Sequence, residues 1–233
     1  MHILVINPNS TAAMTRSIEA AALDAARAKT RITAVNPDDT PPAIQGPEDG
    51  AAALPGLFAL FDREVLEKGG YDACVIACFD DTGLMPLKRR SPIPVIGIGE
   101  AAFLAAMLVG DSFSVVTTLG VSTPVIEANL AAYGIAARCR KVRASEVPVL
   151  DLESDKDSAC DTIAAEIALA IAEDEPNAIV LGCAGMADLA MTLSDRFRLP
   201  VIDGVAAAIT FAEALRASNA DRWAGSRRGE RVA

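Results

Sequence analysis

Two stretches of this 233-residue chain repeat one another, and that repeat narrows the folds open to it. In the first, Ala73, Cys74, Val75, Ile76 and Ala77 lead into Cys78, and Phe79, Asp80, Asp81, Thr82 and Gly83 follow. In the second, Ala178, Ile179, Val180, Leu181 and Gly182 lead into Cys183, and Ala184, Gly185, Met186, Ala187 and Asp188 follow. Each is a short aliphatic run, then a cysteine, then a small or polar turn, then a helical start. A run of that length predicts a buried parallel strand. The match continues on both sides. Residues 94–102 pair with 200–208, and residues 2–11 pair in pattern with 112–120. Three matches in one order imply two lobes related by duplication, which settles the architecture before any local assignment.

The alternation of strands and helices predicts an α/β fold. It consists of two pseudo-symmetric lobes, each a four-stranded parallel sheet flanked by helices and joined by right-handed crossovers. We expect the first lobe over 1–97, completed by a C-terminal helix at 205–217, and the second over 98–204. The polar tail 218–233 is expected to be disordered. Strands are expected at 3–6, 31–35, 113–118 and 138–144, and the first helix at about 12–28. Residues 36–50, with Pro37, Pro41, Pro42 and Pro47, read as a long loop, either a cover over a site or a surface connection. Residues 145–157 are the matching loop in the second half. Leu54, Leu57, Phe58, Phe61 and Val65 recur at helical spacing and read as core.

Charge and composition exclude several functions. A net charge of −10 argues against nucleic acid and against an anionic membrane surface as partners. No charge-free apolar run reaches the length of a membrane span. The N-terminus enters a strand directly, without a signal-peptide pattern, so a cytoplasmic location is expected. Five cysteines are then expected as thiols. The one histidine is His2, which leaves no partner for a Ser-His or Cys-His nucleophile. No cysteine cluster has zinc spacing, and there is no glycine-rich nucleotide fingerprint. Nothing asks for a metal or a cofactor.

What remains is the cysteine pair. Ligands of open α/β sheets bind beyond the carboxyl ends of the strands, where Cys78 and Cys183 should both lie. A thiol, with an ordinary pKa of about 8.5, can act as base or acid near neutrality once tuned. Two thiols, one per half, are the parts needed to take a proton from one face of a carbon and return it to the other. Each cysteine precedes a predicted helix, whose N–H groups would lower the thiol pKa and hold an enolate oxygen. One cysteine should rest as thiolate and the other as thiol, with coupled titrations. Cys74, Cys139 and Cys160 have no counterparts and read as small hydrophobes. Thr117, Thr118 and the Asn9-Ser10-Thr11 turn either cap helices or bind a polar ligand.

These motifs carry a resemblance. Asn7 to Thr11, Ala77 to Asp81, Thr117 to Leu119, Gly182 to Met186 and Pro200 to Gly204 together resemble the hydantoin racemases of the aspartate/glutamate racemase superfamily. The resemblance runs from His2 to about Ala217; the tail beyond departs from the family pattern. It implies a cofactor-independent racemase of 5-monosubstituted hydantoins, with Cys78 and Cys183 as the two bases and the ring held between the lobes. The matching ligand positions are Asn9, Ile44, Phe79, Thr117, Thr118, Ala184 and Gly185. A small-molecule hydantoin is the implied substrate, and a homo-oligomer is expected. Allantoin racemase is the nearest alternative, since allantoin is itself a hydantoin. A free amino-acid racemase is disfavoured because neither cysteine motif holds a basic residue. A decarboxylase of the superfamily would need only the second cysteine. From another class, the lobes could form a small-molecule binding protein without catalysis.

Overall fold

The computed structural model describes residues 1–219, so the expected disordered tail lies outside the described residues apart from Ser218 and Asn219. The first half runs β1 (His2–Ile6), α1 (Ala12–Ala25), β2 (Arg31–Val35), α2 (Pro47–Phe61), β3 (Ala73–Ile76), α3 (Leu84–Arg90), β4 (Val95–Gly97) and α4 (Ile98–Val109). The second runs β5 (Phe113–Thr117), α5 (Thr123–Ala132), β6 (Cys139–Ala144), α6 (Asp151–Ser154), α7 (Lys156–Asp174), β7 (Ala178–Leu181), α8 (Ala190–Phe197), β8 (Val201–Ile202) and α9 (Gly204–Ala217).

The strands form two four-stranded parallel sheets, ordered β2-β1-β3-β4 and β6-β5-β7-β8. Adding four to every label of the first sheet gives the second, so the repeat seen in the residues is a repeat of topology. Equivalent strands pair in equivalent ways: Ile3 lies opposite Ala73, and Phe113 opposite Ala178. Every residue of β3, β5 and β7 is buried, which is why β3 and β7 are apolar without alternation, while β5 also buries Ser114 and Thr117. Each large aliphatic side chain so buried contributes about 1.5–3 kcal/mol.

The lobes share a core. α4 crosses from β4 to β5, and its Phe103 stacks on Phe113 at 5.7 Å and meets Phe79 edge-on at 5.3 Å. This aromatic line runs from the turn after Cys78 into the second sheet. α9 packs on α1 and α4. Its N-terminus is capped by the Asp203 carboxylate, which accepts the Val205 and Ala206 N–H groups. Near its other end the Glu213 carboxylate accepts the Arg27 N–H at 2.9 Å and binds α9 to the first half.

Some local expectations change. α1 ends at Ala25, earlier than its small residues suggested. The loop expected over 36–50 stops at Gly46, because Pro47 sits in the first turn of α2, where its missing N–H costs nothing. Residues 145–157 are not all loop, since α6 interrupts them and α7 starts at Lys156, capped by Asp155. Among the described residues no helix is long and apolar enough to cross a membrane.

Candidate active site

The topology places the site. In the first sheet the chain leaves β1 toward β2 on one side and returns to β3 on the other, so the order switches between β1 and β3. In the second sheet it switches between β5 and β7. Crevices outside the carboxyl ends of such strand pairs are where α/β sheets hold ligands. The segments leaving these four strands carry Asn9, Cys78, Thr118 and Cys183.

All four line one cavity between the lobes, together with Ile44, Phe79 and Ala184. Two of the expected positions do not. Thr117 is the last residue of β5 and buried, and its hydroxyl donates to the Gly182 carbonyl at 3.0 Å. Side chains alternate along a strand, so Thr118 faces the cavity and Thr117 braces β5 against β7. Gly185 turns toward a separate groove beside α1, and a side chain there would meet Leu152. Six further residues reach the wall: Met14, Ala77, Asp80, Ser122, Val149 and Gly182. Asp80 was visible as part of the first cysteine motif. Met14, on the buried face of α1, had no signal separating it from ordinary core.

The cavity holds about 30 Å³, roughly the share of a single water in liquid. A ring-shaped ligand therefore requires the walls to part. Ile44 and Val149 come from the segments 36–46 and 145–150, which meet across the lobes where the Val149 N–H donates to Gln45 Oε1 at 3.1 Å. The first segment is also tied down by the Ser10 N–H to Pro41 carbonyl bond at 3.0 Å and the Thr11 hydroxyl to Pro42 carbonyl bond at 2.6 Å. The proline-rich stretch is thus a cover over the cavity.

Each wall has its own polar support. Asn9 Oδ1 accepts Asn7 Nδ2 at 2.9 Å and the Thr11 N–H at 3.0 Å, which fixes the amide with Nδ2 toward Met14 and the cavity. Cys78 Sγ lies 3.4 Å from Thr82 Oγ1, and the Asp80 N–H also points at it. Burial nevertheless pushes the Cys78 thiol well up, and the nearby Asp80 carboxylate adds to the rise.

That corrects the expectation of a helix N-terminus at Cys78, whereas Cys183 does cap a short helical segment. After Cys78 the chain makes a tight turn with Asp81 at φ 50 and Gly83 at φ 71, and α3 starts only at Leu84. After Cys183 comes a 3₁₀ segment, Ala184–Leu189, before α8. Burial also raises Asp80 to about 6 and Asp81 to about 7. The Asp81 carboxylate accepts the Gly99 N–H at 3.1 Å, the Glu100 N–H at 2.8 Å and the Tyr133 hydroxyl at 2.7 Å. Its own N–H donates to the Cys78 carbonyl at 3.0 Å. The first cysteine turn is thereby clamped to the first turn of α4 and to the second lobe.

Chemically, the wall presents two thiols from opposite lobes, hydroxyl and amide donors, one carboxylate and otherwise apolar surface. Among the described residues no group of three or more His, Cys, Asp or Glu side chains is placed to hold a metal ion.

Known proteins share this chain's sequence and shape. Residues 3–212 match the family model described as Asp/Glu/Hydantoin racemase. A hydantoin racemase of Rhizobium meliloti is 49% identical over 92% of this chain and 88% of its own length. Among solved structures, the allantoin racemase from Klebsiella pneumoniae superposes with a TM-score of 0.89 at 40% identity, covering 94% of this chain and 89% of that one. The allantoin racemase from Pseudomonas fluorescens gives 0.90 at 36% identity over all of both chains.

Proposed function

The chain belongs to the Asp/Glu/hydantoin racemase family and is a racemase, and we propose that it interconverts the D and L forms of 5-monosubstituted hydantoins by proton transfer between two thiols. The observation that carries this reading is that Cys78 and Cys183, from equivalent strand ends of opposite lobes, line the same cavity. One cysteine, as thiolate, takes the proton from C5. The electron pair moves onto the neighbouring carbonyl oxygen as an enolate. The other cysteine, as thiol, gives its proton to the opposite face of C5, and the two have then exchanged protonation states. The reverse enantiomer runs the same path backwards. Asn9 Nδ2 and the Thr118 hydroxyl supply donors for the ring carbonyls, where negative charge develops. Closure excludes water, which strengthens those bonds and prevents the enolate from being reprotonated at random.

A neutral ring suits this wall better than a free amino acid, because among the described residues no Lys or Arg lines the cavity to hold a carboxylate. Allantoin is the rival substrate, favoured by the 36–40% identity to the two allantoin racemases of known structure. The deciding experiment is polarimetry of one pure enantiomer of a benzyl- or isopropyl-substituted hydantoin and one of allantoin, with a single enzyme preparation. Faster loss of rotation with the alkyl- or benzyl-substituted ring supports the proposal. Faster loss with allantoin reassigns the substrate. No loss with either returns the fold to the class of binding proteins. We also propose that the protein assembles as a homo-oligomer, which sedimentation would show directly.

A further inference from the structure

One group on the cavity wall neither takes nor gives the C5 proton in the two-thiol chemistry. Asp80 follows Cys78 by two residues, and its carboxylate faces the cavity that both thiols line. Its position is held from the other lobe: Asn129 Nδ2 donates to the Asp80 carbonyl at 2.9 Å, and Ser122 Oγ donates to the carboxylate at 3.4 Å. An ionised carboxylate can accept about four hydrogen bonds, and this long one uses a single position. Asp80 is half-buried, and the partial loss of water around its carboxylate raises its pKa to about 6.

The remaining polar groups of the wall divide by chemistry. Asn9 Nδ2 and the Thr118 hydroxyl can donate, and they suit carbonyl oxygens, whereas the Ser122 hydroxyl already gives its proton to Asp80. Asp80, when ionised, can only accept, and it suits an N–H. A cyclic ureide presents both kinds of group. Its N–H nearest the reacting centre is bonded directly to the carbon that Cys78 must reach. Asp80 shares a turn with Cys78, so this N–H is the one within its range.

Building on the racemase reading above, we propose that the Asp80 carboxylate accepts a hydrogen bond from the ring N–H adjacent to the reacting carbon. It thereby selects cyclic ureides over rings that lack that N–H. It is a binding and specificity residue, and it takes no proton from C5.

The test compares two substrates of one shape. A 5-benzylhydantoin carries the N–H; the 5-benzyl oxazolidine-2,4-dione replaces it with an oxygen, which would face the carboxylate as a second acceptor. Racemisation of each is measured with wild type, Asp80→Ala and Asp80→Asn. Taking ratios between enzymes removes the difference in intrinsic acidity of the two C5 protons. A hydrogen bond from a neutral donor to a carboxylate corresponds to about 10- to 100-fold in kcat/KM. The wild-type preference for the hydantoin should therefore narrow by about that factor in Asp80→Ala, with the loss confined to the hydantoin. Asp80→Asn keeps the shape and a weaker acceptor, and should narrow the preference less. If both substrates lose activity by one common factor, or the preference is unchanged in both variants, Asp80 is only structural and the proposal is overturned. A wild type that racemises neither ring overturns the racemase reading itself, and this proposal with it.

Discussion

The clamp at Asp81 makes a prediction whose size and sign both follow from the site. Replacing Asp81 with Asn keeps the shape but leaves one oxygen to serve the Gly99 N–H, the Glu100 N–H and the Tyr133 hydroxyl, and it turns an NH₂ group toward donors. An unsatisfied buried donor costs about 1–3 kcal/mol, so at acid pH the variant should be less stable by roughly that amount. The carboxyl itself titrates between about 3.8 in the unfolded chain and about 7 in the fold, raised first of all by burial. Between those values the folded state holds a proton that the unfolded state has released. The group's contribution is therefore fully present below the unfolded value and is lost as pH rises toward 7.

From pH 5 to pH 7 that loss spans two pH units at about 1.4 kcal/mol each, on the order of 2–3 kcal/mol. Asn does not titrate and loses nothing. The destabilisation by Asp81→Asn should shrink from pH 5 to pH 8 by that amount, leaving the variant close to wild type, or above it, at the higher pH. Urea unfolding of both proteins at the two pH values measures the gap. Since Asp80 and every other titrating group is common to both proteins, the change in the gap belongs to Asp81. A gap that stays constant, or grows toward pH 8, would refute a buried and clamped carboxyl at this position.

Other perturbations read the two-base reading directly. Cys78→Ser and Cys183→Ser should each stop racemisation yet still exchange the C5 hydrogen for deuterium, with opposite enantiomer preference, as followed by NMR against uncatalysed controls; Cys160→Ser, remote from the cavity, should racemise normally. Near-wild-type racemisation by either cavity variant contradicts the pair. Gly182→Ala would set a Cβ 2.6 Å from Thr117 Cα, so β5 and β7 must part; a cost of about 1–3 kcal/mol is expected, with turnover reduced because Cys183 follows next in the chain, and an unchanged urea midpoint would deny the close approach. Because burial raises the Cys78 thiol above its ordinary value, the direction that uses Cys78 as base should gain kcat as pH rises above neutrality; a kcat for that enantiomer that does not rise with pH opposes a Cys78 thiolate base.

Legibility in the sequence divided along the repeat. The two parallel sheets could be read because fully buried strands must be apolar on both faces, and the same runs occur twice in the same order, whereas the strand order within each sheet was not foreseen. The place of the thiols at the strand ends follows from the same runs. Thr117 and Thr118 could not be separated, since which of two adjacent residues faces a cavity depends on where the strand stops pairing. The tight turn after Cys78 was hidden because Asp81 adopts a left-handed conformation only while α4 and Tyr133 hold its carboxylate, and those partners are 18 to 52 residues away. Met14, Ser122 and Val149 reach the wall by packing between lobes, which no local pattern records.

The same division has a kinetic consequence. The scaffold is symmetric, but its two thiols are not in equivalent surroundings. Cys78 is followed by Phe79, Asp80 and Asp81, and Cys183 by Ala184, Gly185 and Met186. The Asp80 carboxylate beside Cys78 disfavours the ionised form of that thiol. The free enzyme should therefore favour, of the two protonation states of the proposed pair, the one in which Cys78 is the thiol. The enantiomer whose proton faces Cys183 then meets an enzyme ready for it, and the other binds an enzyme that must first shift a proton. Two enantiomers in water have equal free energy, so their kcat/KM values must be equal whatever the enzyme does. The asymmetry can appear only in kcat and KM separately, both larger for the same enantiomer by a common factor. Asp80→Asn removes the charge that creates the imbalance and should draw the two kcat values together. Progress curves from each pure enantiomer, with wild type and with the variant, measure this. Equal kcat values in wild type, or a ratio that Asp80→Asn leaves unchanged, would show that the acidic turn does not set the resting state of the pair.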